Sequence, residues 1–357
     1  FYLMTSKEIS LFQLWSGIVN LKKLLALSLA CSAMILFSQA HAQETAKRVE
    51  QEKNFNSEGS EREGRLLPFF GKEARDRGYE LPEPFGVNVN YMHMKQDIVV
   101  EDIKFSGLGM NLPSFKFPFR PQYTPIPSDI FEIGVKSTKQ KSHTETLRLD
   151  TWVFPFMNVY GVFGRTKGSS LSKISVSSPM PFVDKVIQGM GGMDDLDFVL
   201  KFKGKTFGGG ITLAGGYGNW FGLLDMNYTK TQLDIITGNI KAFTLAPRFG
   251  YRFNVSGVES INWPEGKLSL WVGTMYQDVT QNFNGKLSNL DFSPKLQGLI
   301  NAVNSKGEGE FHVKQHLKSP WNMLVGARYE VGKHFNILTE VGFNKRKSFF
   351  LAGEFRF

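Results

Sequence analysis

The sequence has a single cysteine among its 357 residues, Cys31, so no intrachain disulfide is available to it. Past residue 42 it also lacks any apolar run near the roughly 18 residues that a membrane-spanning helix needs, which excludes a helical membrane protein. Glycine shows no three-residue period, which excludes a collagen-like fibre, and 41% apolar against 21% charged residues excludes an unfolded chain. What the chain has in excess is aromatic, with 32 Phe, 10 Tyr and 6 Trp, on a net charge of +9.

The one long apolar stretch, Leu24 to Phe37, follows Lys22-Lys23 and precedes Ser38-Gln39-Ala40-His41-Ala42. A basic flank, a short apolar core and a small-x-small site make a secretory signal, and cleavage is expected after Ala42, with Ala40 and Ala42 as the small residues of the site. Cys31 lies inside that core without the upstream Leu of a lipid-modified cysteine, and Met4 is read as the start. Removing residues 1–42 takes away three basic and one acidic side chains, leaving 315 residues at +7 and no thiol.

The rest alternates with period two, as strands do. Phe349, Leu351, Gly353, Phe355 and Phe357 fall on one face and Ser348, Phe350, Ala352, Glu354 and Arg356 on the other. The same holds for Phe335 to Phe343, Trp321 to Tyr329 and Phe243 to Phe253. Segments of about 10 residues, with Trp220, Tyr228, Tyr251, Tyr276, Trp321 and Tyr329 near the ends of the apolar faces, match tilted strands crossing a bilayer between aromatic girdles. A soluble sandwich alternates too, but it needs neither the girdles nor the apolar carboxyl terminus. The predicted fold is all-β: a transmembrane antiparallel up-and-down β-barrel of about 12 strands, with 10 or 14 as the neighbouring even counts and long external loops. The expected layout is signal and extension over 1–42, a periplasmic tail and possible plug over 43–85, and the barrel over 86–357. Strand starts are expected near Gly86, Ile98, Asp129, His143, Met157, Leu196, Asn219, Asn239, Gly266, Trp321, Phe335 and Ser348, and the proline-rich Pro113 to Pro127 reads as a periplasmic connection.

With its signal, its strands and its closing Leu351-Ala352-Gly353-Glu354-Phe355-Arg356-Phe357, the chain resembles the Gram-negative outer-membrane β-barrel proteins. The resemblance implies an outer-membrane location and a carboxyl-terminal mark, Phe355 and Phe357, read by the barrel-assembly machinery. Ala352 stands where that class usually has its Gly.

Function follows from the polar faces. Arg148, Asp150, Asp225, Arg248, Arg252, Arg328 and Glu340 are expected to face the interior, where unpaired cations would select anions and paired charges would close the barrel. A narrow passive channel or facilitator for a small solute is the leading expectation, with these residues as its selectivity candidates. The alternative is a closed structural or interaction barrel that binds a partner or lipopolysaccharide through its outer loops; a lipid hydrolase is the third. Trp152, Phe154, Phe221, Leu223, Trp271, Gly208, Gly210 and Gly273 fit either the lining of a path or the filling of a solid interior. No enzymatic activity, cofactor, metal or nucleic acid is expected. His312 and His316 would reach one metal only on a helix, and Ser142-His143, at an expected turn, is the only adjacent nucleophile and base. Lys139, Lys141, Lys345, Arg346 and Lys347, at expected outer turns, are candidate contacts to lipopolysaccharide phosphates, with membrane lipid as the other expected partner. Two loop segments carry helical apolar stripes, Leu296, Leu299, Ile300 and Val303 after Ser293-Pro294, and Phe182, Val183, Val186, Ile187 and Met190. Packing on their own loops is expected for both.

Overall fold

In the computed structural model the described residues are 67–112, 122–189, 193–234, 236–257, 265–332 and 334–357. The signal peptide with Ala40 and Ala42, the first part of the tail and residues 113–121 of the proline-rich connection lie outside them. A short helix, α1 (Gly71–Asp76), precedes β1 (Phe85–Ser106), and a small hairpin, β2 (Gly109–Leu112) and β3 (Gln122–Pro125), follows it. The chain continues through β4 (Glu132–Phe154), β5 (Met157–Ser177), α2 (Pro181–Gly189), β6 (Leu196–Tyr217), β7 (Trp220–Leu233), β8 (Thr237–Val255) and β9 (Gly266–Lys286). It ends with β10 (Asp291–Phe292), α3 (Pro294–Val303), β11 (Glu310–Leu317), β12 (Trp321–Val331), β13 (Phe335–Phe343) and β14 (Arg346–Arg356). Among the described residues no helix is long and apolar enough to cross a membrane.

Twelve strands make one antiparallel sheet, and ten of them close on themselves in the order β1, β4, β5, β6, β7, β8, β9, β12, β13, β14 and back to β1. The seam is β1 with β14, paired from Gly86 with Arg356 to Gln96 with Arg346. At the near end, where the termini of the barrel meet, Phe85 and Phe357 exchange both backbone hydrogen bonds, at 3.1 and 3.0 Å. The other two strands of the twelve are the two-residue β10 and β11. Expected strand starts at Ile98 and His143 fall inside β1 and β4, which run unbroken for 22 and 23 residues. At about 3.3 Å per residue such strands are about twice as long as the 9–11 residues that cross a bilayer. Lys95 and Asp97 on β1 and Lys139 and Lys141 on β4 are exposed within these continuous strands. Because β1 is one strand, β2 and β3 lie at the end opposite the barrel's termini, not at the end that holds them, where the connection is expected from the sequence.

β12, β13 and β14 are only 11, 9 and 11 residues long. Above them stands one strand, β11, paired with β1 from Ile98 to Ser106 and with β9 from Thr280 to Lys286. β11 therefore closes a second ring at the far end, made of β1, β4, β5, β6, β7, β8, β9 and β11. The barrel narrows from ten strands to eight, and an eight-strand barrel is one that side chains alone can fill.

The inside and outside exchange character along the strands. Near the termini, β6 turns Thr206, Gly208 and Gly210 inward and Phe207, Ile211 and Leu213 outward; at the far end it turns Leu196, Phe198, Leu200 and Phe202 inward and Asp197, Lys201 and Lys203 outward. β9 does the same, from inward Ser269 with outward Leu268, Leu270 and Val272 to inward Val279 and Phe283 with outward Asp278, Thr280 and Asn282. Two bulges adjust the far half: extra residues Glu101 on β1 and Lys136 on β4 reset the alternation, so that Ile103, Phe105, Ile133 and Val135 also point to the apolar interior.

Candidate functional site: the barrel interior

The interior is layered, and each layer is built from inward positions of neighbouring strands. At the near end Asp150 accepts hydrogen bonds from Asn88 at 2.7 Å and Asn158 at 2.6 Å, and the Arg356 guanidinium lies 3.0 Å from it. Arg148 reaches Asn158 at 2.9 Å and stacks 3.6 Å over the Tyr160 ring. Arg328 lies 3.5 Å from Glu354 and 3.7 Å from Glu330, and Arg356 is also paired with Glu354.

One layer up, Arg248 makes a two-pronged bond to Glu340 at 2.6 and 3.0 Å, across from β8 to β13, and the Trp271 indole N–H donates to the same carboxylate at 2.8 Å. Asp225 accepts from Tyr160 at 2.9 and 3.0 Å, from Thr212 at 2.7 Å and from Asn227 at 3.0 Å. The glycines here make room for neighbouring side chains: a Cβ on Gly326 would run into the Trp271 indole, and one on Gly210 would meet Asn227 and Tyr160 at 2.7 Å. Trp271 and Gly210, two of the residues open to either reading, are packed against neighbouring side chains in this layer.

Above this lies a hydroxyl ladder, Thr144 to Thr166 to Thr206 to Thr231, at 3.0, 2.7 and 2.8 Å across β4, β5, β6 and β7. Then four glutamines meet: Gln96 donates to Gln140 at 2.9 Å, Gln281 to Gln140 at 2.9 Å and Gln315 to Gln281 at 2.6 Å. Gln281 and Gln315 are each 1% exposed.

Beyond the glutamines the far half is apolar. Phe198, Phe283, Phe311, Ile174 and Leu200 are at most 2% exposed and belong to one contiguous cluster. The stripe of α3, Leu296, Leu299, Ile300 and Val303, joins it, as does Ile187 of α2. α3 packs on β10, Leu287 and Leu290 of its own loop, as expected, and through the same cluster both helices also join the apolar interior of the far half. The side chains of Phe182 and Val186, and Met190 as a whole, lie outside the described residues. Ser293 occupies the cap position of α3 with extended backbone, but its hydroxyl makes no capping bond. Pro294 in the first turn needs no such partner.

The near mouth is crossed by residues 67–84. Phe69 donates its backbone N–H to Val153 at 2.9 Å, and Phe69 and Phe70 lie 6.0 and 6.2 Å from Phe154, at the turn between β4 and β5. Glu80 then pairs with Lys267 on β9, five strands round the ring from β4, before Arg356 donates to the Glu83 carbonyl at 2.9 Å. The hydrogen bond from Lys267, assisted by its charge and by Arg252, holds the Glu80 carboxyl below its ordinary pKa.

Of the seven candidate interior residues, all face inward. The structure brings Arg148 together with Asp150, and Arg248 with Glu340; it gives Asp225 hydroxyl and amide partners and Arg328 two carboxylates, and leaves Arg252 to act on Glu80 at a distance. What sequence reasoning missed is the neutral connectors, Asn158, Tyr160 and the four glutamines. The available signal was that Gln recurs at inward positions of β1, β4, β9 and β11. Ser142 and His143 are adjacent on β4 and so point to opposite faces, and His143 instead contacts His93 at 3.1 Å and Tyr91 at 3.0 Å outside the barrel. His312 and His316 both face outward on β11, about 13 Å apart along a strand, too far for one metal. Among the described residues no metal-binding group of three ligands occurs. Of the candidate phosphate contacts, Arg346 is corrected: it is 2% exposed and its guanidinium bonds Gln277 at 3.0 Å inside the barrel. Lys139 and Lys141 lie within β4 and not at a turn. Phe355 and Phe357 are about half exposed on the near-end rim.

No protein-family model and no curated protein matches the sequence. Among solved structures the chain is similar to the transport unit of the autotransporter AIDA-I from Escherichia coli, with TM-score 0.33, 10% identity and coverage of 82% of this chain and 100% of that one. It is also similar to the toluene transporter TbuX of Ralstonia pickettii, with TM-score 0.29, 9% identity and coverage of 78% and 90%. For the translocator domain of the autotransporter NalP from Neisseria meningitidis the values are 0.23, 11%, 90% and 97%. The overlap is loose and carries no activity from those proteins to this chain.

Proposed function

We propose that the chain is a bacterial outer-membrane barrel, closed at rest, that serves as a structural or interaction barrel through its outward surfaces. The near end faces the periplasm and the capped far end faces outward. The membrane placement is supported by the outer face of the near half, where Val89, Phe163, Phe249 and Val272 are each more than half exposed to solvent. Such a band is too large and too continuous to face water. On β9 it runs nine residues, from Leu268 to Tyr276, and ends where Tyr276 and Trp321 meet at 5.2 Å. Phe355 and Phe357, exposed on the rim, are the proposed contact for the barrel-assembly machinery.

The observation that carries the closed reading is the apolar core of the far ring, sealed below by the glutamines and above by α3. Refolded mature protein in planar bilayers should show no single-channel steps and no solute uptake in vesicles; reproducible steps would overturn the closed reading. A gated facilitator is the second reading, favoured by the polar near half, where the Arg328 and Glu330 side chains keep 28% and 22% exposure. It requires that removing residues 287–309, the segment that contributes α3, produce conductance. A hydrolase is disfavoured by the opposed directions of Ser142 and His143, and no acyl release is expected from the purified protein.

A further inference from the structure

Just beyond the apolar band the outer face becomes cationic over four consecutive strands. On β5 and β6, Arg165 stands directly opposite Lys205 and Lys167 opposite Lys203; on β7 and β8, Lys230 stands opposite Lys241. Lys230 is also the diagonal neighbour of Lys205, since Lys205 pairs with Gln232. Like charges directly opposite each other across a sheet repel, yet none of these six makes an ion pair within the chain among the described residues, whereas Lys201 pairs with Asp291 and Lys173 with Asp197 at the same sheet's far end. Three acids stand beside the six, Glu145 opposite Arg165, Asp278 diagonal to Lys241, and Asp234, whose backbone N–H bonds the Lys203 carbonyl at 2.9 Å, and none of them forms an ion pair with the collar among the described residues. Immediately below lie Phe163, Phe207, Tyr228 and Phe243, all at least 38% exposed. Beside Arg165 a shallow groove of about 480 Å³ runs between Val89, Leu147 and Phe163 on the outside of the wall.

We infer that this collar binds a phosphorylated glycolipid of the outer leaflet carrying two phosphates, the chemistry of lipopolysaccharide. The square of Arg165, Lys167, Lys203 and Lys205 would hold one phosphate, and Lys230 with Lys241, about two strand spacings or 10 Å away, the other. Acyl chains would lie on the aromatic row and in the groove beside it. The occupant has to be both anionic and apolar, because six cations face three neighbouring acids without an ion pair among the described residues and the surface directly beneath them is apolar. The inference rests on the membrane placement proposed above.

The test uses the full mature protein in detergent or nanodiscs, with purified lipopolysaccharide, its dephosphorylated form and inorganic phosphate as probes. Replacing Arg165, Lys203 and Lys205 together by Gln should weaken lipopolysaccharide binding about 100-fold at low salt, since each cation near a charged lipid surface contributes about fivefold. Neutralising Lys104 and Lys314, both ion-paired at the far end, should change it less than twofold. Wild-type binding should fall with added salt and with dephosphorylation. Equal binding of wild type and triple variant, both heat-modifiable on gels, overturns the inference, as does tight binding of inorganic phosphate alone. If the mature protein instead stays dispersed and monomeric without detergent, the membrane placement itself has failed, a result distinct from either.

Discussion

The near and far halves of this barrel are made of the same strands and obey opposite rules. In the near half apolar side chains point out and hydrogen-bonded polar ones point in; in the far half Phe283, Phe311 and Leu200 point in and Asp278, Asn282 and Lys201 point out. A strand has no inherent inner face, so its wet side is set by what surrounds it at each height. The changeover comes within a few residues on each strand, from Phe163 to Arg165, from Tyr276 to Asp278 and from Phe207 to Lys205. In the proposed placement the ten-strand half has the surface of a membrane barrel and the eight-strand half that of a water-exposed one.

The comparison breaks most severely if the far core is made polar. Phe283→Asp places an unpaired carboxylate at a position with 0% exposure and should abolish the folded far half, seen as rapid proteolysis there. Phe283→Ala should cost about 3–5 kcal/mol in urea unfolding. Next comes the interior pair of the near half: Glu340→Gln strands the Arg248 guanidinium and should cost about 3 kcal/mol, while the double variant R248M/E340Q should recover at least half of that loss.

How much of this was legible in the sequence depends on the half. The near half was, because period-two alternation with apolar residues flanked by Trp and Tyr has one ready environment. The far half was not, since the alternation on β6 from Leu196 to Phe202 is as regular as that from Phe207 to Leu213 and carries no label for which side is wet. The bulges at Glu101 and Lys136 interrupted it further. The inward direction of the candidate site residues was readable by counting in twos. Their partners were not: Arg248 and Glu340 are 92 residues apart, and their meeting depends on strand order and stagger around the ring.

The outer surfaces give a finer comparison on a single strand. Val272→Lys, in the exposed apolar band, should cost about 2–4 kcal/mol in lipid vesicles. Thr280→Lys, eight residues further along the same face of β9, should change stability by less than about 0.5 kcal/mol. Equal costs would remove the distinction between the halves. The smallest effect is expected at Glu101, whose carboxyl is held below its ordinary pKa by its hydrogen bond to Lys314 and by His316. A lowered pKa contributes stability above the ordinary carboxylate pKa and loses it as pH falls through the lowered value. Amide protection of β11 should therefore weaken slightly on acidification below about pH 4.5, and Glu101→Gln should remove that dependence.

The strand that stands above the short hairpin also decides where damage stops. The eight-strand ring contains neither β13 nor β14, so a cut at Asn344 or fraying of the carboxyl end unzips the wider ring while every hydrogen-bonded seam of the narrower one stays intact. The cap is thereby insulated from damage to β13 and β14.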